Sequence, residues 1–385
     1  MYNFTLYMPT RIHFGKGQIS HLSELRESGT KVLLVYGGGS IKRNGIYDTA
    51  VDILKKAGLT IYDLPGVEPN PRIESVRKGV EKCKAEGIDM TLAIGGGSTI
   101  DCAKVVAAGA KYDGDPWDLV LDRSLIKSAL PIYSVVTLAA TGSEMNPSAV
   151  ISDFTKHEKW GTSAPALVPT MSILDPTYTF SVSKRQTAAG TADIMSHTFE
   201  NYFSFENADV QKAFGEALLK VLIKNGPIAL AEPDNYDARA SLMWAATHAI
   251  NGLTKMGNAP AWCVHPMEHE LSAFYDITHG VGLAILTPVW MEHILSERTA
   301  PIFAAYGRNA WGVTAADDMT AAKAAIQKTK EFLFETLELP SSLRAAGIND
   351  KNNIEAMAEK ASRKTAQSFV PLTQADIREI YEAAF

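Results

Sequence analysis

Nine histidines occur in the 385 residues, and three of them, His265, His269 and His279, fall within one stretch of fifteen. A fourth, His197, follows Asp193 by four positions in Thr191-Ala192-Asp193-Ile194-Met195-Ser196-His197-Thr198-Phe199-Glu200. That stretch reads as helix, and a spacing of four sets carboxylate and imidazole on one face. Alone, such a pair is an ordinary polar contact on a helix. Together with the downstream histidines it is a candidate chelate for one divalent metal, and one carboxylate among imidazoles suits Fe(II) and Zn(II) equally. His265 and His269 share a face of a helix expected to begin near Pro266, a residue favoured in a first helical turn. Tyr275-Asp276-Ile277-Thr278 then breaks the pattern, so that His279 can fold back toward the same point. His248 and His293 stand alone in helical stretches and, with His13, His21 and His157, are read as packed or solvated.

Two further words carry chemistry. Gly37-Gly38-Gly39-Ser40 and Gly95-Gly96-Gly97-Ser98 each follow a run of β-branched and aliphatic residues and open a helical pattern. Bare backbone N–H groups at the carboxyl edge of a parallel sheet, next to a helix N-terminus, are what a pyrophosphate needs. A glycine triplet also makes a tight turn, and Ser98 with Asp101 fits a capping box whatever the loop binds. No acid near the first loop stands ready for an adenosine 2′-hydroxyl; Gly38 is followed by Ser40, Lys42 and Arg43. Hydroxyl and cationic groups accept a 2′-phosphate that an acid would repel, which favours NADP(H).

The elements that must position these groups fall into two kinds. From Lys31 to about Val150, buried strand patterns (Lys31–Tyr36, Met90–Ile94, Ile132–Thr137) alternate with helical ones, the mark of a parallel sheet wrapped by helices. From about Ser183 the pattern becomes long helices, among them Ala208–Lys224, Ala238–Gly252 and Thr320–Glu338. The turn at Leu174-Asp175-Pro176 is a natural boundary. Two domains are expected: an α/β dinucleotide-binding domain over residues 1–180 and an all-α metal-binding domain over 181–385, with the site in the cleft between them. A hydrophobic fraction of 46% without an apolar run of membrane-spanning length argues against a membrane protein. A net charge of −6 without a basic run leaves no footprint for nucleic acid. Three isolated cysteines, Cys83, Cys102 and Cys263, and no secretory leader point to the cytoplasm.

Taken in order, Pro69-Asn70-Pro71, Gly95-Gly96-Gly97-Ser98 with Asp101, Thr137 through Ala140-Thr141-Gly142-Ser143-Glu144, Asp193 with His197, and His265, His269 and His279 resemble the iron-containing (group III) alcohol dehydrogenase family. The resemblance spans nearly the whole chain and runs closest to the NADPH-dependent butanol dehydrogenase and aldehyde reductase branch. It implies a Rossmann-like α/β domain followed by a helical domain, the dehydroquinate synthase-like plan, working as a homodimer on a small alcohol or aldehyde. It assigns one Fe(II) or Zn(II) to Asp193, His197, His265 and His279, and places His269 near the metal as a histidine other than the fourth ligand; a catalytic role for His269, passing the proton to solvent, is expected on chemical grounds. The expected cofactor contacts are Gly37, Gly38, Gly39, Ser40, Asn70, Gly95, Gly96, Gly97, Ser98, Asp101, Thr137, Thr141, Asn146 and Lys159. In NAD-preferring members an Asp stands where this chain has Gly38, in line with the charge argument.

Rival readings use the same residues. Glycerol dehydrogenases and dehydroquinate synthases share the plan, but the latter need more cations near the metal than Lys255. His265-Pro266-Met267-Glu268-His269 also spells H-x-x-E-H, the inverted zinc-peptidase motif, with Glu268 as general base. A dehydrogenase has no evident use for Glu268, so its substitution is expected to be nearly silent.

Overall fold

The computed structural model describes residues 1–206, 208–258, 262–366 and 368–385. Cα packing divides the chain into two compact units, Tyr7–Val182 and Met1–Leu6 with Ser183–Phe385. The first is built on strands β1 (Arg11–Phe14), β2 (Lys31–Tyr36), β3 (Thr60–Leu64), β4 (Met90–Gly95), β5 (Ile132–Val136) and β8 (Met171–Leu174), all parallel, in the order β1-β8-β5-β4-β2-β3. Strand β4 is buried throughout and β2 throughout but for Lys31, because helices cover both faces of a parallel sheet and leave no polar side. Helices α1 (Ser40–Arg43), α2 (Ile46–Lys56), α3 (Ile73–Glu86), α4 (Gly97–Gly109) and α5 (Pro116–Leu121) form the crossovers, and β6 (Ser148–Asp153) with β7 (Glu158–Ser163) makes an antiparallel hairpin. The chain runs from β2 outward to β3 and then returns to the other side of β2 as β4. That reversal is a topological switch point, where ligands of doubly wound sheets bind outside the carboxyl ends of the strands. Both Gly-Gly-Gly-Ser words sit there, at the ends of the hydrogen-bonded neighbours β2 and β4.

The second unit is helical: α6 (Lys184–Tyr202), α7 (Asp209–Ala231), α8 (Tyr236–Ile250), α9 (Val264–Tyr275), α10 (His279–Ile294), α11 (Ala300–Trp311), α12 (Asp318–Lys330), α13 (Ile354–Thr365) and α14 (Gln374–Ala383). The expected fold class, parallel α/β followed by all-α, is the one observed. Boundaries differ for local reasons. Helix α7 continues past Pro227 to Ala231, and α8 starts at Tyr236 because the Asn235 side chain caps it by accepting from Ala238 N at 3.0 Å. The stretch read as one helix from Thr320 loosens after Lys330 into a π-helical turn, Glu331–Thr336. No described helix is long and apolar enough to cross a membrane.

Candidate metal centre and nucleotide loops

Helix α6 is buried along its whole length from Thr187 to Tyr202, yet carries Asp193, His197 and Glu200. Burying such groups is costly unless something satisfies them. Asp193 Oδ1 stands 3.6 Å from His197 Nδ1, one turn along the same helix, and 3.8 Å from His265 Nε2 on α9. A third nitrogen, His279 Nε2, also lies 3.8 Å from that oxygen, reaching it from the first residue of α10. Asp193, His197 and His265 each offer a ligand atom within 4.8 Å of the others, and Asp193 Oδ1, His197 Nδ1 and His265 Nε2 have no hydrogen-bond partner among the described residues. The next residue, Gly280, makes the approach possible: a Cβ there would collide with the Ala189 carbonyl of α6. The break expected at Tyr275–Thr278 is an αL cap at Asp276, φ 51°, after which α10 begins.

Two carboxylates behind the histidines set the rings. Glu200 Oε1 accepts from the His265 backbone N at 2.8 Å and lies 3.1 Å from His265 Nδ1. Glu268, wholly buried, contacts His279 Nδ1 and accepts from Ser272 Oγ. With Nδ1 set against a carboxylate, each ring turns its Nε2 toward Asp193, the orientation in which histidines bind metals. Glu268 is therefore no bystander, and these contacts argue against the expectation that its substitution would be nearly silent. Burial pushes the Asp193 carboxyl up, but the charge offered by His197, His265 and His279 outweighs it and holds the group well below the carboxylate range. Burial drives His197 down to about 3, whereas for His265 the charges of Glu200 and Asp193 overcome burial and lift it to about 9. His269 lies apart from the Asp193 group, its ring 6.4 Å from that of His265 and 5.8 Å from that of His279, and forms a second cluster with Glu268 and His279. The Trp262 ring flanks the centre, 4.9 Å from His265.

Glu200 went unread in the sequence although the spacing was there: Asp193, His197 and Glu200 fall four and then three apart, one stripe of a helix. A third group, His13, His21 and Glu24, is also compact. Its rings stack at 3.6 Å and 14°, and Glu24 is already engaged by His21 Nδ1 at 2.5 Å and by Arg11 at 2.8 Å. This is a packed contact.

In the α/β unit, the loop Gly37–Ser40 opens only the four-residue α1, while Gly95–Ser98 opens the thirteen-residue α4. A Cβ on Gly97 would collide with the Thr141 side chain, so only glycine lets the segment after β5 close over the start of α4. Thr137 N donates to Gly95 O at 3.0 Å, tying the same two segments. Space beside Gly38 is open, and Lys42 Nζ sits 4.6 Å from the Tyr47 ring and 5.0 Å from the Tyr36 ring, with Ser40 and Arg43 exposed. Asn70 is buried in an αL turn, φ 52°, and Lys159 is buried on β7. The capping box expected of Ser98 and Asp101 does not form. Gly96 is the N-cap, and Asp101 instead accepts from Ser143 Oγ at 2.6 Å and Val150 N at 2.9 Å. Asn146 is likewise engaged within the protein, donating to Gly142 O and accepting from Ser148 N, each at 2.8 Å.

Comparison with known proteins places the chain in a family. Residues 9–176 match Iron-containing alcohol dehydrogenase, and residues 187–385 match the C-terminal part of the Fe-containing alcohol dehydrogenase family. NADH-dependent butanol dehydrogenase A of Clostridium acetobutylicum is 54% identical, with both chains covered in full, and the NADPH-dependent aldehyde reductase YqhD of Escherichia coli is 39% identical over all of both. The crystal structure of NADH-dependent butanol dehydrogenase A from Thermotoga maritima superposes with a TM-score of 0.95 at 38% identity, covering 100% of this chain and 99% of the other. Matched from one end to the other in sequence and in fold, the chain belongs to the iron-containing alcohol dehydrogenase family.

Proposed function

We propose that this protein moves hydride between NADP(H) and a small primary alcohol or aldehyde, with one divalent ion, Fe(II) or Zn(II), held by Asp193, His197, His265 and His279. The observation that carries this reading is the convergence of three buried, unpartnered ligand atoms on one point, with His279 Nε2 closing a further side. Two ligands each about 2.1–2.2 Å from one tetrahedral ion lie about 3.4–3.6 Å apart. The distances around Asp193 Oδ1, 3.6–3.8 Å, are close to that. One carboxylate and three imidazoles also make a donor set suited to either metal.

Such an ion supplies Lewis acidity toward the substrate oxygen, and the nicotinamide supplies the hydride. The chain's own residues do the rest. The N-terminus of α4 and the bare backbone at Gly96 and Gly97 orient the pyrophosphate. Ser40 and Arg43, beside the open space at Gly38, receive the 2′-phosphate. Glu200 and Glu268 fix the tautomers of His265 and His279, and Trp262 keeps water from one flank of the metal residues. His269, half-buried beside His279, passes the alcohol proton outward. The peptidase alternative requires Glu268 as a free base, whereas here it is fully buried against His279 and Ser272. The family likeness further supports a cytoplasmic protein that works as a homodimer, the second of which light scattering of the purified protein checks.

The test is to strip the protein with a chelator, titrate Fe(II) and Zn(II), and compare NADPH with NADH across aldehydes of increasing length. One ion per chain, loss of that ion in Asp193→Asn, and a higher kcat/KM with NADPH are expected. Metal binding that survives Asp193→Asn overturns the ligand set. Better turnover with NADH, the cofactor named for the two Clostridium relatives at 54% identity, overturns the cofactor assignment. His269→Ala with full activity and an unchanged pH profile removes the relay.

A further inference from the structure

Lys104 lies in the middle of α4 with none of its surface exposed, so its charge has been taken wholly out of water. Its Nζ donates to Asn146 O and to Ser148 O, both at 2.8 Å, and reaches Asn146 Oδ1 at 3.3 Å. All three acceptors are neutral. They belong to one short segment, residues 146–148, which runs from the loop after β5 into β6. An ammonium buried against neutral carbonyls is expensive, and burial pushes Lys104 down to about 8 against the opposing pull of Asp101 and Glu144. Aliphatic residues would fill the same volume at less cost, so the charge needs another reason.

That reason lies at the other end of the segment. Asn146, held by Lys104, donates its Nδ2 to Gly142 O at 2.8 Å. Asp101, one turn before Lys104, accepts from Ser143 Oγ at 2.6 Å, and Ser143 N faces Thr141 Oγ1 at 3.3 Å. Thr141 is the side chain that packs on Gly97 at the start of α4. Helix α4 thus begins at the glycine loop and, one to two turns on, grips the far end of the segment lying over that loop.

We infer that Lys104 is a positioning residue for dinucleotide binding: with Asp101 and Asn146 it clamps residues 141–148 to α4, so that Thr141 and the Gly95–Ser98 loop face the cofactor as one rigid surface. This assigns Asp101 and Asn146 to the clamp rather than to the cofactor itself. The inference rests on the α/β unit being the dinucleotide site, and the experiment separates the two.

Binding of NADPH and NADH to the metal-loaded wild type, followed by nicotinamide fluorescence, tests the site. The same titration of Lys104→Met tests the clamp. With a hydrogen-bonded charge removed, the dinucleotide dissociation constant is expected to rise about ten- to a hundredfold. KM for the dinucleotide should rise with it, while kcat at saturating cofactor, KM for the aldehyde and bound metal stay near wild type. A merely structural loss would lower the active fraction, and hence kcat, without moving the dissociation constant. Should Lys104→Met not fold, Asn146→Ala keeps the two backbone acceptors of Lys104 but removes the side chain that donates to Gly142 O and accepts from Ser148 N and Lys104 Nζ; a smaller rise of the same kind is expected. Wild-type dinucleotide affinity in either folded variant, or a fall in kcat alone, overturns the clamp. A wild type that binds neither dinucleotide overturns the site instead.

Discussion

At the scale of single residues, the centre depends on side chains that touch no substrate. Glu200 and Glu268 each stand behind one histidine, and removing such a partner weakens metal binding about ten- to a hundredfold in other proteins. Glu268→Gln keeps the size of the side chain but faces His279 with a neutral amide, and Glu200→Gln does the same to His265. Both are expected to raise the metal dissociation constant by about that factor, measured by competition with a chromogenic chelator. Unchanged affinity in both would mean the rings are set by packing alone. The four proposed ligands were legible in the sequence because imidazoles are scarce and their spacing regular. Glu268 was not, since its task appears only when α10 brings His279 back beside α9; read along the chain, it fitted a peptidase motif better.

Elements show the same division between local and distant causes. Strands β2 and β4 were legible because a parallel strand buried on both faces reads as an unbroken apolar run, and α6 because its polar residues repeat at helical spacing. The role of Asp101 was not. Its spacing from Ser98 satisfies a capping box, but the partners that claim it, Ser143 and Val150, come from more than forty residues away. Arg239 is a second group whose purpose only packing reveals. Buried on α8, it donates to Thr187 Oγ1 of α6 at 2.8 Å, to Ala229 O in the last turn of α7 at 3.3 Å, and to Pro233 O at 2.8 Å. It ties three helices where α7 ends and leaves carbonyls without intrahelical partners. Arg239→Met strands those buried acceptors and is expected to cost about 2–3 kcal/mol, seen as an earlier urea midpoint. Metal affinity should be kept, since Thr187 lies more than a turn before Asp193. A loss of metal binding at unchanged stability would show that the tie serves the centre instead.

For the molecule as a whole, the two kinds of ligand are assigned to different units: the metal residues all lie within Ser183–Phe385, and the nucleotide loops all lie within Tyr7–Val182. Anything that binds only the folded state stabilises it, by about 2.7 kcal/mol at a hundredfold excess over the dissociation constant. The gain falls on the elements the ligand ties together. Without an ion, Asp193, His197 and His265 confront one another as buried polar groups whose facing atoms lack partners among the described residues. Removing it should therefore loosen α6, α9 and α10, the helices that carry the proposed ligands. Hydrogen exchange followed by mass spectrometry reads this directly. Chelation is expected to speed exchange in peptides covering residues 187–202 and 264–294 while leaving β2, β4 and β5 unchanged. Added NADPH should instead slow exchange at residues 95–104 and 137–148, with or without the metal. If chelation loosened the sheet as much as the helices, the ion would be supporting the whole chain, and the metal could no longer be regarded as a local tie within the helical unit.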